Sequence, residues 1–178
     1  MHNSNTQRFH LSCQTPVDWL RAISDGSHLI HLDWNQIGWT DPDRANHVSR
    51  ETITQLMAYF ASQRTHFTIP LRPANISPAR QHWLDIMASI PYGTTISYAA
   101  FAAAAGAPNA ARAAGTICAT NPIPIIYPCH RVVRKNGALG HYGGASQLAP
   151  SHKDNVARKG FLIAHEKSQL DEGQLILT

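Results

Sequence analysis

Residues 97–120 read SYAAFAAAAGAPNAARAAGTICAT, and the fold class of the C-terminal half depends on how this stretch divides. Alanine is the strongest helix former, and the run is broken only around Gly106-Ala107-Pro108. Ser97 stands where a helix N-cap oxygen would receive a free amide, and Gly106 where a helix closes in left-handed backbone. Beyond Pro108, Asn109 is placed to cap a second helix, AARAAGTICAT. Two short helices around a Gly-containing turn make a helix-turn-helix candidate. The second helix is unusual for a reader of base edges. Its only long basic side chain is Arg112, set among Ala110, Ala111, Ala113, Ala114 and Gly115, whereas groove-reading helices carry several long polar groups. Small side chains permit close approach, after which a single arginine could enter a base stack. A packed interior helix with one solvated arginine would read the same way.

Upstream, Ser77-Pro78 gives an N-cap followed by proline at the first helical position, and Trp83, Ile86, Met87 and Ile90 continue at helical spacing until Pro91-Tyr92-Gly93. Residues 69–77, IPLRPANIS, hold two prolines and read as an extended crossing between domains 1–76 and 77–178. In the N-terminal part, WLRAI and LIHL flank Ser24-Asp25-Gly26-Ser27, which predicts a β-hairpin or meander. Ile53, Leu56, Met57 and Phe60 then form the stripe of an amphipathic helix.

A chain of 178 residues with 43% hydrophobic and 15% charged content is an ordinary globular composition. No apolar run approaches the roughly 20 residues that span a bilayer. The N-terminus shows no secretory apolar region, and three cysteines leave at least one thiol unpaired. Together these predict a reducing, cytoplasmic setting (nuclear in a eukaryote) with no membrane partner. Residues 1–77 are electrically balanced, with six basic and six acidic side chains; residues 78–165 hold eight basic and two acidic. No carboxylate occurs between Asp85 and Asp154. Such a window attracts a polyanion, although a solvated basic face would look alike.

Residues 124–133, PIIYPCHRVV, place Cys129 before His130 and Arg131, after Pro128, between two β-like apolar runs. An adjacent imidazole is a common means of lowering a thiol pKa, and Pro128 supplies the turn that lets neighbouring side chains converge. Glu166, in LIAHE at the end of an apparent helix, is a candidate to orient that imidazole. A buried thiol beside an incidental histidine is the plainer reading. Zinc is disfavoured, since no CxxC or HxxxH accompanies the pair. Cys118, among small residues, reads as core.

Taken together, IPYGTTISYAAFA, PNAARAAG, NPIP and PCHRVV resemble the O6-alkylguanine-DNA alkyltransferases (methylated-DNA–protein-cysteine methyltransferases), in order and nearly without gaps over residues 77–142. The N-terminal half resembles the family more loosely. The resemblance implies an α+β protein: a small ribonuclease-H-like α/β domain, then a mainly helical, winged-helix-like domain with a helix-turn-helix. It implies a monomer that binds double-stranded DNA from the minor groove, flips O6-alkylguanine (O4-alkylthymine as well) and takes the alkyl group irreversibly onto Cys129, without cofactor. Through it, His130 is the water-linked base, Glu166 its orienter, Asn121 the brace beneath the cysteine and Tyr142 the pocket lid. Arg112 fills the gap in the stack. Tyr98 contacts the flipped base and phosphate, its hydroxyl acidic enough to protonate the leaving guanine. Ala111, Ala113, Arg131 and Lys135 complete the expected DNA and substrate contacts.

The sequence departs from the family pattern in places. An insertion is expected at residues 149–155, Gly143-Gly144 follows Tyr142 without a polar side chain, and Thr120 precedes Asn121. Cys13 and His28 lack the further cysteine of a zinc site, so no metal is expected. The principal alternative is a non-enzymatic sensor of alkyl lesions, which in relatives lacks the acceptor cysteine. A thiol hydrolase or redox sensor would leave Arg112 without a role, and a helix-turn-helix transcription factor would need a dimer element.

Overall fold

The computed structural model describes residues 7–34, 39–144, 146 and 148–175, and divides the chain into two compact units, Met1–Ala74 and Asn75–Thr178.

In the first unit β1 (Phe9–Gln14), β2 (Trp19–Ser24) and β3 (Leu29–Trp34) form an antiparallel sheet in that order. The predicted hairpin is β2–β3. Asp25 Oδ1 accepts from the amides of Ser27 and His28, and Gly26 takes φ +109°, which only glycine adopts readily. The alternation in β1 is too weak to have marked it as a strand. Helix α1 (His47–Phe60) opens with a reciprocal cap, Asn46 accepting from the Ser49 amide while Ser49 Oγ accepts from the Asn46 amide. Its period matches the expected one, but its buried face is rotated. Val48, Thr52, Gln55, Leu56 and Tyr59 are buried, whereas Met57 is 44% exposed. Polar residues occupy that face because each is satisfied. Thr52 Oγ1 donates to the Val48 carbonyl, and the Gln55 amide group joins Glu51, Arg64 and Thr68.

The second unit begins with α2 (Pro78–Ala88), capped by Ser77, whose buried side Leu84 and Met87 form. Strand β4 (Ile96–Ser97) leads into α3 (Tyr98–Ala104), with Ser97 Oγ accepting from the Ala100 amide. Gly106, at φ +76°, ends that helix as expected. The following helix, α4 (Ala111–Ala119), starts later than predicted. Its N-cap is Ala110, with no side-chain cap, so Asn109 does not perform that role. Phe101, Ala102, Ala114 and Cys118 bury the contact between α3 and α4, and Trp83 of α2 sets its edge on Phe101 at 5.2 Å.

The apolar run before Cys129 is not a strand. Residues 121–128 form a buried loop, then a 3-10 turn (Cys129–Arg131) and β5 (Val132–Val133), which pairs in parallel with β4. Helix α5 (Lys153–Leu175) continues past Glu166 rather than ending there. The segment expected to be an insertion is docked. Asn155, fully buried, donates to the carbonyls of Leu148 and Ala149, and the Tyr142 amide donates to the Pro150 carbonyl at 2.9 Å. Gly143 fits beneath Pro150 only because it lacks a Cβ, which would meet the ring at 2.9 Å and the Ala119 carbonyl at 2.8 Å.

Candidate active site

The 3-10 turn after Pro128 resolves how two neighbouring side chains can both face inward. In a strand they would diverge; on the turn Cys129 and His130 are both fully buried. The loop beneath them is held by Asn121. Its Nδ2 donates to the Tyr127 carbonyl at 2.7 Å and lies 3.1 Å from Cys129 Sγ, while its Oδ1 accepts from the Ile123 amide at 3.0 Å. Such bracing is needed because Ile125 sits at φ +73°, a region that β-branched residues adopt only under constraint.

Glu166 gathers the remaining groups. Its Oε1 lies 2.8 Å from His130 Nε2 and 2.9 Å from Arg131 Nη2; its Oε2 accepts from Arg131 Nε at 2.8 Å and the Gly93 amide at 2.9 Å. Burial favours the neutral acid, but the hydrogen bonds and charges of His130 and Arg131 outweigh it and hold the carboxyl well below the usual carboxylate range. An ionised carboxylate only accepts, so His130 Nε2 carries the proton and Nδ1 keeps its lone pair. Nδ1 is buried and has no hydrogen-bond partner among the described residues. Burial lowers the His130 pKa below 6.5 despite Glu166. The ring is therefore neutral at neutral pH and able to accept a proton.

Cys129 is not a standing thiolate. Burial pushes its thiol up to about 11, while the Asn121 hydrogen bond, the Lys159 charge and backbone amides pull the other way. The expectation that the adjacent imidazole lowers the pKa is thus corrected: a desolvated thiol beside a neutral ring keeps its proton until something removes it.

A cavity of about 500 Å³ opens alongside, lined by Tyr98, Ala111, Arg112, Ala119, Arg134 and His141 among others. Cys129 and Tyr142 are not part of its wall, and both are buried. Ala111, Arg112 and Ala113 are exposed at the start of α4, and Lys135 is exposed on the turn after β5. Among the described residues, no group of three His, Cys, Asp or Glu side chains is arranged to hold a metal ion.

Comparison with known proteins places this arrangement. The profile described as the 6-O-methylguanine DNA methyltransferase DNA-binding domain matches residues 78–168. The methylated-DNA–protein-cysteine methyltransferase of Mycobacterium leprae is 39% identical over 89% of this chain and 92% of its own. The chain belongs to the 6-O-methylguanine DNA methyltransferase family. The constitutive enzyme of that name from Bacillus subtilis is 34% identical over 84% of this chain and 95% of its own. Crystal structures of Mycobacterium tuberculosis O6-methylguanine methyltransferase superpose with a TM-score of 0.76. One, at 30% identity, covers 92% of this chain and 94% of its own; another, at 33%, covers 90% and 94% and is a complex with DNA.

Within this family fold two expected contacts change character. Arg131, expected at the DNA surface, is buried against Glu166, with Nη1 donating to the Ile90 carbonyl at 2.5 Å. A lone arginine in PCHRVV gives no sign of which way it turns; the buried carboxylate decides. Tyr98, expected to be suitably acidic, is pushed well above the usual phenol range by burial and by the thiols of Cys118 and Cys129. Two cations that the sequence reading passed over stand near it. Arg134 lines the cavity. Lys159 is fully buried, with Nζ 2.6 Å from the Val132 carbonyl and 3.3 Å from Tyr98 Oη. The one sequence signal for Lys159 was its spacing of seven residues before Glu166, two helical turns along the same face.

Proposed function

We propose that the chain repairs double-stranded DNA by transferring the alkyl group of O6-alkylguanine, and of O4-alkylthymine, to Cys129 in a single irreversible turnover. The observation that carries this reading is the fully buried Cys129 thiol on one turn with a neutral His130 held by the ionised Glu166, the unprotonated His130 Nδ1 having no partner among the described residues. His130 accepts the thiol proton, through one water, and Glu166 stabilises the imidazolium that forms. The thiolate then attacks the alkyl carbon, forming a C–S bond as the C–O bond breaks and its electron pair leaves with guanine. The thioether product resists cellular thiols, so one protein repairs one lesion.

Delivery of the base rests on the helix-turn-helix of α3 and α4, approaching from the minor groove as a monomer. The exposed small residues Ala111 and Ala113 allow close contact, and the uncapped amides at the start of α4 suit a phosphate. Arg112 enters the stack as the lesion flips, which costs a few kcal/mol and least for a poorly paired base. Tyr98 contacts the flipped base, Tyr142 closes over it, and Lys135 meets the backbone. In this reading residues 1–76 form the ribonuclease-H-like domain, and residues 77–178 the winged-helix-like domain that binds DNA and accepts the alkyl group.

The test mixes the protein with duplex DNA carrying one O6-methylguanine, followed by intact mass and peptide mapping. The expected outcome is one added methylene on the Cys129 peptide, with guanine restored and at most one equivalent transferred. Tight lesion binding without mass gain would replace this reading by that of a lesion sensor.

A further inference from the structure

The residues inserted ahead of α5 are anchored like part of the core. Surface connections tolerate added residues as loose loops, yet residues 148–152 are tied down from inside. Asn155, fully buried on the first turn of α5, gives both amide hydrogens to the carbonyls of Leu148 and Ala149, at 3.2 and 3.0 Å. Its Oδ1 accepts from the buried Arg158 at 2.5 Å, so every polar atom of the side chain is engaged. The His152 amide donates to the Ala149 carbonyl at 2.8 Å, and His152 Nδ1 accepts from the Asp154 amide, which joins this strap directly to the helix.

What the strap packs against leads to the sulfur. The Pro150 carbonyl accepts from the Tyr142 amide at 2.9 Å, and a Cβ on Gly143 would meet the Pro150 ring at 2.9 Å and the Ala119 carbonyl at 2.8 Å. A Cβ on Gly144 would lie 3.1 Å from the Asn121 carbonyl, and Asn121 Nδ2 stands 3.1 Å from Cys129 Sγ. Contacts thus run from Asn155 through Pro150 and the two glycines to the brace beneath the thiol. Cys129 and Tyr142 are both buried, and a close-packed interior holds no spare volume. A large alkyl group on the sulfur therefore needs a wall to move. The loop 121–128 is fixed by Asn121, and α4 packs on α3. Segment 142–144 belongs to no helix or strand and is held by the strap.

We propose that Asn155 is a specificity-determining positioning residue: by pinning residues 148–152 against Tyr142 and Gly143 it keeps that wall closed and restricts Cys129 to small alkyl groups, methyl rather than benzyl. The proposal rests on the alkyl-transfer reading and adds which adducts that site takes. The bond changes are the same for both, a C–S bond forming as the C–O bond breaks; the adducts differ in the room they need. A methyl group adds one carbon to the sulfur. A benzyl group adds a ring, which fits only if Tyr142 and Gly143 swing outward, with loss of the Tyr142–Pro150 hydrogen bond and of the Asn155 bonds that hold the strap down. Asn155 touches no reacting atom and acts through the strap alone.

The experiment measures single-turnover transfer, with protein in excess, from duplexes carrying O6-methylguanine or O6-benzylguanine, read as mass gain on the Cys129 peptide. The wild type should take methyl faster than benzyl. Asn155→Ala should raise the benzyl-to-methyl rate ratio by about tenfold or more, while the methyl rate per active molecule changes little. A loss of folded protein would lower both rates alike and leave the ratio where it was, so a merely structural role for Asn155 does not move it. Pro150→Gly removes the ring that packs on Gly143 from a half-buried site and leaves the Asn155 bonds in place; it should shift the ratio in the same direction. A wild type that takes benzyl as fast as methyl, or a folded Asn155→Ala protein with an unchanged ratio, would overturn the inference. Should Asn155→Ala not fold, an unchanged ratio in Pro150→Gly would overturn it equally. Wild-type protein that takes no methyl group from the lesion would instead remove the alkyl-transfer reading itself, and this inference with it.

Discussion

Asn121 shows how much one side chain can decide. It satisfies the Ile123 amide and the Tyr127 carbonyl in a buried loop, holds Ile125 in left-handed backbone, and reaches the sulfur that its loop presents. Replacing it by alanine leaves the buried Ile123 amide without its partner, at about 1–3 kcal/mol, and leaves the Tyr127 carbonyl with the Cys129 amide as its remaining donor. Asn121→Ala should therefore lower the melting temperature measurably, and should raise the Cys129 pKa further from its usual value, because the hydrogen bond that favours thiolate is lost. The rate of iodoacetamide alkylation against pH, read on the Cys129 peptide, checks the second outcome. A titration that stays put would mean the amide is a brace alone.

Among the elements, α4 departs furthest from expectation. Its sequence marks a helix by alanine content, yet the cap falls on Ala110, which has no side-chain oxygen to offer. The outer face of its first turn is small and exposed while its inner face, Ala114 and Cys118, packs on α3. In the function proposed above, packing and DNA contact are thereby separated onto two sides of one short helix. Ala113→Leu should leave the melting temperature within experimental error, since the site is exposed. It should weaken duplex binding about tenfold or more, equivalent to ~1.4 kcal/mol, by holding the helix off the backbone. Fluorescence anisotropy with a lesion-bearing duplex measures this, and undiminished affinity would argue against close approach by that turn.

For the whole molecule, acid is the informative variable. Glu166 is held below its ordinary value, so its contribution is present above about pH 4.5 and is lost as pH falls toward its folded value. His130 has a lowered pKa, so below 6.5 the unfolded chain binds its proton more readily than the folded one. Both act in the same direction. The second unit should lose stability from about pH 6.5 downward, with the steeper loss below about 4.5, as followed by denaturant melts at stepped pH. Glu166→Gln should flatten the lower part of that curve while lowering stability at neutral pH, since Arg131 then stays buried without its carboxylate. A stability independent of pH across this window would contradict the assigned charge states.

The sequence by itself determined the local events: the caps at Ser77 and Ser97, the stop at Gly106, the hairpin turn at Asp25-Gly26 and the periods of the amphipathic helices. It also marked Cys129, His130, Asn121 and Glu166 as one constellation through family resemblance, because that signal is carried by residue identity and order. Tertiary structure alone decided the direction in which groups face and what surrounds them. Arg131 turns inward to a carboxylate contributed from α5, Met57 turns outward on α1, and the run before Cys129 becomes a buried loop braced by the Asn121 amide. Charge state belongs to this second class as well. Desolvation depends on every element packed around a group, so the protonated Cys129, the weakly acidic Tyr98 and the buried Lys159 could not be read from neighbours along the chain.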